Sequence, residues 1–366
     1  MKRRGQSSRS CRKALRIFCV GTSWRRPNPS WFRFWRTIGL SVVLAVSLEE
    51  TGLANTQGEL SGMKRRPQGI LTGMPFMTHV SSRSFVDDAG RKFHLASSPR
   101  RLVSLAPSIT EMLFAIGAGD LVVGVTPFCD FPPEAARKPK VGYGSPNVES
   151  LVALQPDLVL APQEFVKPDL VATLDHLRIP IFFLAGRTVD GVLTQIQTLG
   201  RMVNREAEAA ALVMELRQRI TAVKQRVQGQ PPVRVLYVLN SEPLITVGPG
   251  SFIDQLIGLA GGLNAAAKSI MPYPRLSIET VLLEDPEVLL FPVGPHAEIP
   301  DDQRRAWQRW TGLSAIKHQR LHPISGDLLN RPGPRIVEGL ERLAEILHPP
   351  ASAPSEPPEP RSSGGS

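Results

Sequence analysis

Apolar residues in this chain collect into short unbroken runs, separated by longer stretches in which they recur every third or fourth position. The runs at residues 101–105, 121–125, 158–161, 181–184 and 234–239 are too short for helices and largely apolar on both sides. Strands of that kind are covered on both faces, the mark of parallel sheets flanked by helices. Helices are predicted at 148–154, 168–177 and 251–259, and Thr110-Glu111 opens another that stops at Gly117 to Gly119. Residues 79–98 read as a hairpin turning at Asp88 to Gly90, and Gly261-Gly262 as a helix C-terminal cap. Residues 205–227 hold neither Gly nor Pro and are dense in Ala, Glu, Leu, Arg and Gln, which predicts one long helix.

One pattern occurs twice. NVESLVALQPDLVLAP at 147–162 is matched position by position by SIETVLLEDPEVLLFP at 277–292, at a constant offset of 130 residues. Each copy sets an acid, Glu149 or Glu279, at a helix start and runs through Pro-Asp or Pro-Glu into an apolar strand. A tyrosine stands six residues before each acid, Tyr143 and Tyr273. The chain therefore reads as a duplication, with the long helix between the copies as a rigid spacer. The predicted fold class is α/β: two Rossmann-like lobes with central parallel sheets, joined by one long backbone helix. The expected division is a basic leader at 1–70, an N-terminal lobe at 79–204, the backbone helix at 205–228, a C-terminal lobe at 232–348 and an unfolded Pro, Ser and Gly tail at 349–366.

Charge changes the picture once it is divided along the chain. The net +10 of the 366 residues would suggest a nucleic-acid partner, but residues 1–70 hold 14 Lys and Arg against 3 Glu. The remaining 29 basic and 30 acidic groups nearly cancel, so the body lacks the footprint of a nucleic-acid binder. The leader ends in an apolar run at 37–48, the length of a signal-peptide core and short of the ~20 residues that span a membrane. Export is expected, to a periplasm or beyond the membrane, with tethering through an uncleaved leader as the variant of that reading. Cys11 and Cys19 lie in the leader without a lipobox-like pattern, which leaves Cys129 alone in the body and no internal disulfide. Cys129 reads as a small packing residue.

Catalytic signatures are missing: there is no phosphate-cradling Walker loop and no Gly-x-Ser-x-Gly elbow. The seven His are scattered and support no dedicated metal site. What remains suits binding. Glu149 and Glu279 are explained singly by helix-start chemistry, with Asn147 and Ser277 as caps. As a repeated pair on separate lobes they also form a two-point dock for a dimeric, basic partner. Tyr143 and Tyr273 sit in Gly- and Pro-flanked loops, where aromatic rings can sandwich a flat apolar ligand. Asp327 and Arg331 lie just before the turn at Pro332 to Pro334, either as a simple salt bridge or as an acceptor and a donor fork for amide-rich or carboxylate-rich ligands.

From Arg101 to about Leu347 the chain resembles the periplasmic substrate-binding proteins of ABC importers that have a helical backbone between lobes, most closely the vitamin B12-binding group. The stretches RLVSLAPSITEMLFAIGAGDLVVGVTPFCDFPPEA from Arg101, NVESLVALQPDLVLAP from Asn147, the 273–279 segment and DLLNRPGPR from Asp327 carry the resemblance. It implies a non-enzymatic monomer with no cofactor of its own, which captures a corrinoid between its lobes and passes it to a permease dimer at the inner membrane. The resemblance places ligand contacts on Ser108, Phe128, Tyr143, Tyr273, Asp327 and Arg331, and permease docking on Glu149 and Glu279. Tyr143 and Tyr273 stand where well-known members have tryptophan. Other family aromatics fall on Leu239, Ile245 and Leu328, and a cysteine pair of some members falls on Ala260 and Ala344. Haem or a ferric siderophore, with Tyr143 or Tyr273 as an iron ligand, is the competing cargo; an enzyme using Cys129 is the competing class.

Overall fold

The computed structural model describes residues 83–350 apart from Ser145, Pro295 and His296. These belong to one compact unit of the chain, Pro75–Ser366. The leader, the first four residues of the expected hairpin and the tail from 351 onward lie outside the described residues.

Two four-stranded parallel sheets form, one from each half of the body. The first comprises β3 (Leu102–Ser104), β4 (Val122–Val125), β5 (Leu158–Ala161) and β6 (Ile181–Phe183), in the order β4-β3-β5-β6. The second comprises β7 (Val233–Tyr237), β10 (Gly262–Asn264), β11 (Val288–Val293) and β12 (Leu321–Ser325), in the order β10-β7-β11-β12. Numbered within each half, both orders are 2-1-3-4, so the sequence duplication is a duplication of topology. The hairpin is β1 (Arg83–Val86) with β2 (Lys92–Leu95), and Phe85 and Phe93 pack edge-on against Phe182 of β6. A second, two-residue hairpin, β8 (Asn240–Ser241) with β9 (Leu244–Ile245), follows β7 and has no counterpart after β3.

Helices cover the sheets as the apolar strands require. Of these, α1 (Pro107–Ala115) begins three residues before the expected Thr110. Pro107 occupies the first helical position, where a missing N–H costs nothing, and Thr110 instead turns its hydroxyl back to the Ala106 carbonyl and Ser104. The repeated helices are α2 (Val148–Ala153) and, later in the chain, the seven-residue helix Ile278–Glu284. Between them come α3 (Pro168–His176), α4 (Val189–Met202), α5 (Glu206–Val227) and α6 (Phe252–Leu259). The chain then runs through the second repeated helix, α7 (Ile278–Glu284), to α8 (Ile336–Leu347). Gly261 adopts φ +79° after α6, as a cap should, whereas Gly262 already pairs with Val233 as the first residue of β10.

The long helix α5 has acids in its first turn and bases in its last, in line with its dipole. Its buried stripe is Ala209, Val213, Leu216, Ile220 and Val223, and it packs on α4 to one side and α8 to the other. That stripe joins Leu102 and Leu160 of the first half and Val235 and Leu290 of the second in one hydrophobic cluster. Arg219 on α5 grips Glu341 on α8 through two bonds of 2.8 and 2.7 Å. Ala260 and Ala344 are fully buried in the same cluster.

The repeat extends to its connections. Gln155 (φ 46°) and Asp285 (φ 43°) are equivalent positions, both left-handed, each followed by proline. Asp157 then accepts from the backbone N–H groups of Arg100 and Arg101, and its counterpart Glu287 accepts from Arg234 N. In return, Arg101 donates to the Leu154 carbonyl and Arg234 to the Asp285 carbonyl. The Pro-Asp and Pro-Glu pairs of the sequence are thus tie points between the repeated helix and the first strand of each sheet.

Candidate ligand cleft and docking face

The segments after the carboxyl ends of the parallel strands converge, as in open α/β sheets generally. Phe128 follows β4, Phe165 follows β5, and Tyr143 lies between them in the chain. Phe128 and Tyr143 meet edge to face at 4.8 Å between centroids, and Tyr143 lies 6.1 Å from Phe165. Burial pushes the Tyr143 hydroxyl up to about 12. Phe165 escaped the sequence reading, although its place just after an all-apolar strand was a usable signal.

Tyr273, between Pro272 and Pro274, is more than a third exposed. Its hydroxyl titrates above the usual range, chiefly through burial and further through the Glu164 carboxylate of the first lobe. Glu164 itself pairs with Arg187 at 2.9 Å. The third tyrosine, Tyr237, is a fully buried core residue at the end of β7, with its hydroxyl donated to Asn330 Oδ1.

Where the lobes meet, the charges form a network that the sequence reading saw only in part. Asp327 and Arg331 do come together, at 2.9 Å. Arg331 also reaches into the first lobe, to Asp130 at 2.6 Å and Glu111 at 3.5 Å. Arg335 takes Glu111 in a bidentate grip of 2.9 and 2.7 Å and lies 4.0 Å above the Phe131 ring. Burial raises the Glu111 carboxyl despite both arginines. For Asp130 the balance reverses: burial pushes up, but the Arg331 hydrogen bonds and charge hold it below the usual aspartate range. Ser108 sits beside this network, with its Cα 3.4 Å from where a Cβ on Gly333 would lie. Glu111, Asp130, Phe131 and Arg335 were all missed. Glu111 had a signal, since it is an acid inside the apolar run of α1, among Ile109, Met112 and Leu113.

Glu149 and Glu279 are exposed at equivalent helix starts. Asn147 Oδ1 accepts from Ser150 N at 2.7 Å and Ser277 Oγ from Thr280 N at 3.3 Å, so the caps fall on the expected residues. Neither acid has an ion-pair partner among the described residues. Cys129 is buried, with its Sγ between the hydroxyls of Thr110 and Thr126 at 3.2 Å each, and its thiol is pushed up mainly by burial. That is a packing residue and a poor nucleophile. His318 and His322 stand four apart, but the short helix Ser314–Lys317 ends before His318 and His322 belongs to β12, so the spacing does not place them on one helical face. No cluster of metal-ligating side chains occurs among the described residues. No helix among them is long and apolar enough to cross a membrane.

Comparisons with known proteins agree with this architecture. The family model described as periplasmic binding protein matches residues 102–324. The cobalamin-binding protein of Halobacterium salinarum is 34% identical over 299 residues, covering 77% of this chain and 80% of that protein. Among solved structures, the periplasmic vitamin B12-binding protein of Vibrio cholerae superposes with a TM-score of 0.61 at 31% identity, over 68% of this chain and 97% of that one. The periplasmic haem-binding protein of the same organism gives 0.62 at 25%, over 68% and 99%. These relatives are binding proteins, not enzymes, and no cofactor of the chain's own is indicated.

Proposed function

The chain belongs to the periplasmic binding proteins, and from that premise we propose that it captures cobalamin or a related corrinoid between its lobes and delivers it to an ABC importer permease. The observation that carries the cargo is the charge at the cleft floor. Two arginines, Arg331 and Arg335, face three carboxylates, Glu111, Asp130 and Asp327. No cation in this network is left over for an anionic ligand, so haem propionates would meet like charge. A corrinoid, whose rim carries neutral carboxamides, meets acceptors and shared donors, while Phe128, Tyr143, Phe165 and Tyr273 supply aromatic surface for its flat ring.

Delivery rests on the two repeated helix starts. Glu149 and Glu279 project one acid from each lobe, and one turn further along each helix an aliphatic side chain is exposed, Val152 (38%) and its counterpart Leu282 (39%). Acid and aliphatic together, twice, suit a permease dimer presenting arginines. The protein acts as an exported monomer, with the basic leader as its signal or tether.

Calorimetric titration of the full chain with cyanocobalamin, haemin and a ferric hydroxamate tests the cargo. One-to-one binding of cyanocobalamin at about −8 to −12 kcal/mol, micromolar to nanomolar, is the expected result. Binding of haemin or the hydroxamate without cyanocobalamin would leave the importer role and overturn the corrinoid.

A further inference from the structure

The network at the cleft floor has two parts of different character. Glu111 and Arg335 form a fixed strut: the Glu111 side chain is 2% exposed, both guanidinium bonds are short, and Arg335 is stacked on Phe131. The Arg331–Asp130 contact joins residues of different lobes, 201 apart in sequence, and the Asp130 side chain is 57% exposed. Arg331 is held as well by Asp327, at 2.9 Å on Nη2, the nitrogen that also reaches Asp130 Oδ2 at 3.3 Å. One partner of the first contact is therefore anchored and the other accessible from solvent.

We propose that Arg331 and Asp130 together form a recognition site for one primary carboxamide of the ligand. The amide replaces their direct contact: its carbonyl oxygen accepts from Arg331 Nη1 and its NH2 donates to the Asp130 carboxylate. A carboxamide is the small group that satisfies a donor and an acceptor side by side. A carboxylate of the same shape has only acceptors and would face Asp130 as a like charge. The exchange gives up one ion pair, whose Asp130 side is solvent-accessible, and forms two charge-assisted hydrogen bonds. Asp130 is then a specificity-determining residue, which deepens the corrinoid reading and rests on it: it selects amide-rimmed over acid-rimmed ligands.

The test uses the full chain, cyanocobalamin, and the separated monocarboxylic acids obtained by hydrolysing one peripheral amide at a time. The wild type is expected to bind at least one of these acids about tenfold more weakly than the parent, the loss of one hydrogen bond to a charged group. Asp130→Asn, which can donate to a carboxylate, should bring that pair within about threefold. Asp130→Ala should likewise abolish the preference and serves if the first variant fails to fold. Equal binding of all the acids by the wild type, or an unchanged preference in both variants, would overturn the carboxamide site while leaving the corrinoid reading intact. Absence of binding by every corrinoid would overturn both, and is distinguished by the silent parent titration.

Discussion

In the first lobe the tyrosine before the repeated helix, Tyr143, stands in a ring cluster with Phe128 and Phe165. Its counterpart in the second lobe, Tyr273, is held between two prolines and more than a third exposed. The charges are divided as well. The first lobe brings Glu111 and Asp130 to the contact, and the second brings both arginines together with Asp327. By contrast the sheet order, the helix-start acid, the left-handed residue before proline and the acid that ties back the first strand occur in both lobes. The difference teaches where duplication was kept and where it was abandoned. The scaffold and its helix-start acids remained alike, whereas the side chains that meet across the lobes became complementary.

The docking acids should show the largest effect. Glu149→Ala with Glu279→Ala is expected to reduce uptake to background with corrinoid affinity unchanged, and the two single variants should fall by similar amounts. A single variant as damaging as the pair would break the equivalence of the lobes. Next is the strut. Glu111→Gln leaves Arg335 without its buried counter-charge and should cost about 3 kcal/mol in denaturant unfolding. Asp130→Asn, at an exposed carboxylate, should cost under about 1 kcal/mol.

Equivalent left-handed positions offer a sharper comparison. Gln155→Gly should stabilise by about 0.5 kcal/mol, because glycine accepts φ 46° without strain. Asp285→Gly should instead destabilise by about 1 kcal/mol. Its carboxylate accepts from Ser314 N and Oγ at 2.8 and 2.6 Å, and no such bond exists at Gln155. Thermal melts with the same sign for both would refute the distinction. The smallest effect concerns pH. Because the folded-state value of Asp130 is depressed, its contribution is fully present above about pH 4 and is lost as pH falls through the lower folded value. The gap between wild type and Asp130→Asn should therefore close on acidification below pH ~4, and a gap that widened there would contradict the assignment.

Much of the fold was legible because it rests on local pattern. All-apolar strands, a Gly- and Pro-free helix and a repeat at fixed offset are each visible without knowing any contact. The caps Asn147 and Ser277 were equally local, and both accept the expected backbone N–H. The start of α1 was misjudged because Thr110 resembles a cap, yet its hydroxyl turns toward a preceding carbonyl. Gly262 and the β8–β9 hairpin were hidden because the segments are only three and two residues long, too short for any period to register. Of the charges where the lobes meet, the pair Asp327 with Arg331 was legible. Glu111 and Arg335 lie 224 residues apart, and neither carries a mark of the other. Such a pair is fixed by how two lobes meet, which no window of sequence contains.

One cluster of side chains runs from Leu102 through the stripe of α5 to Leu290 and Leu340 without interruption. Heat or denaturant therefore has no seam along which to part the lobes, and the body should melt as one cooperative unit rather than in two steps. Occupancy of the cleft then protects every part of the molecule equally, through mass action on that single transition. A vacant carrier and a loaded one would differ in lifetime before proteases as well as in shape.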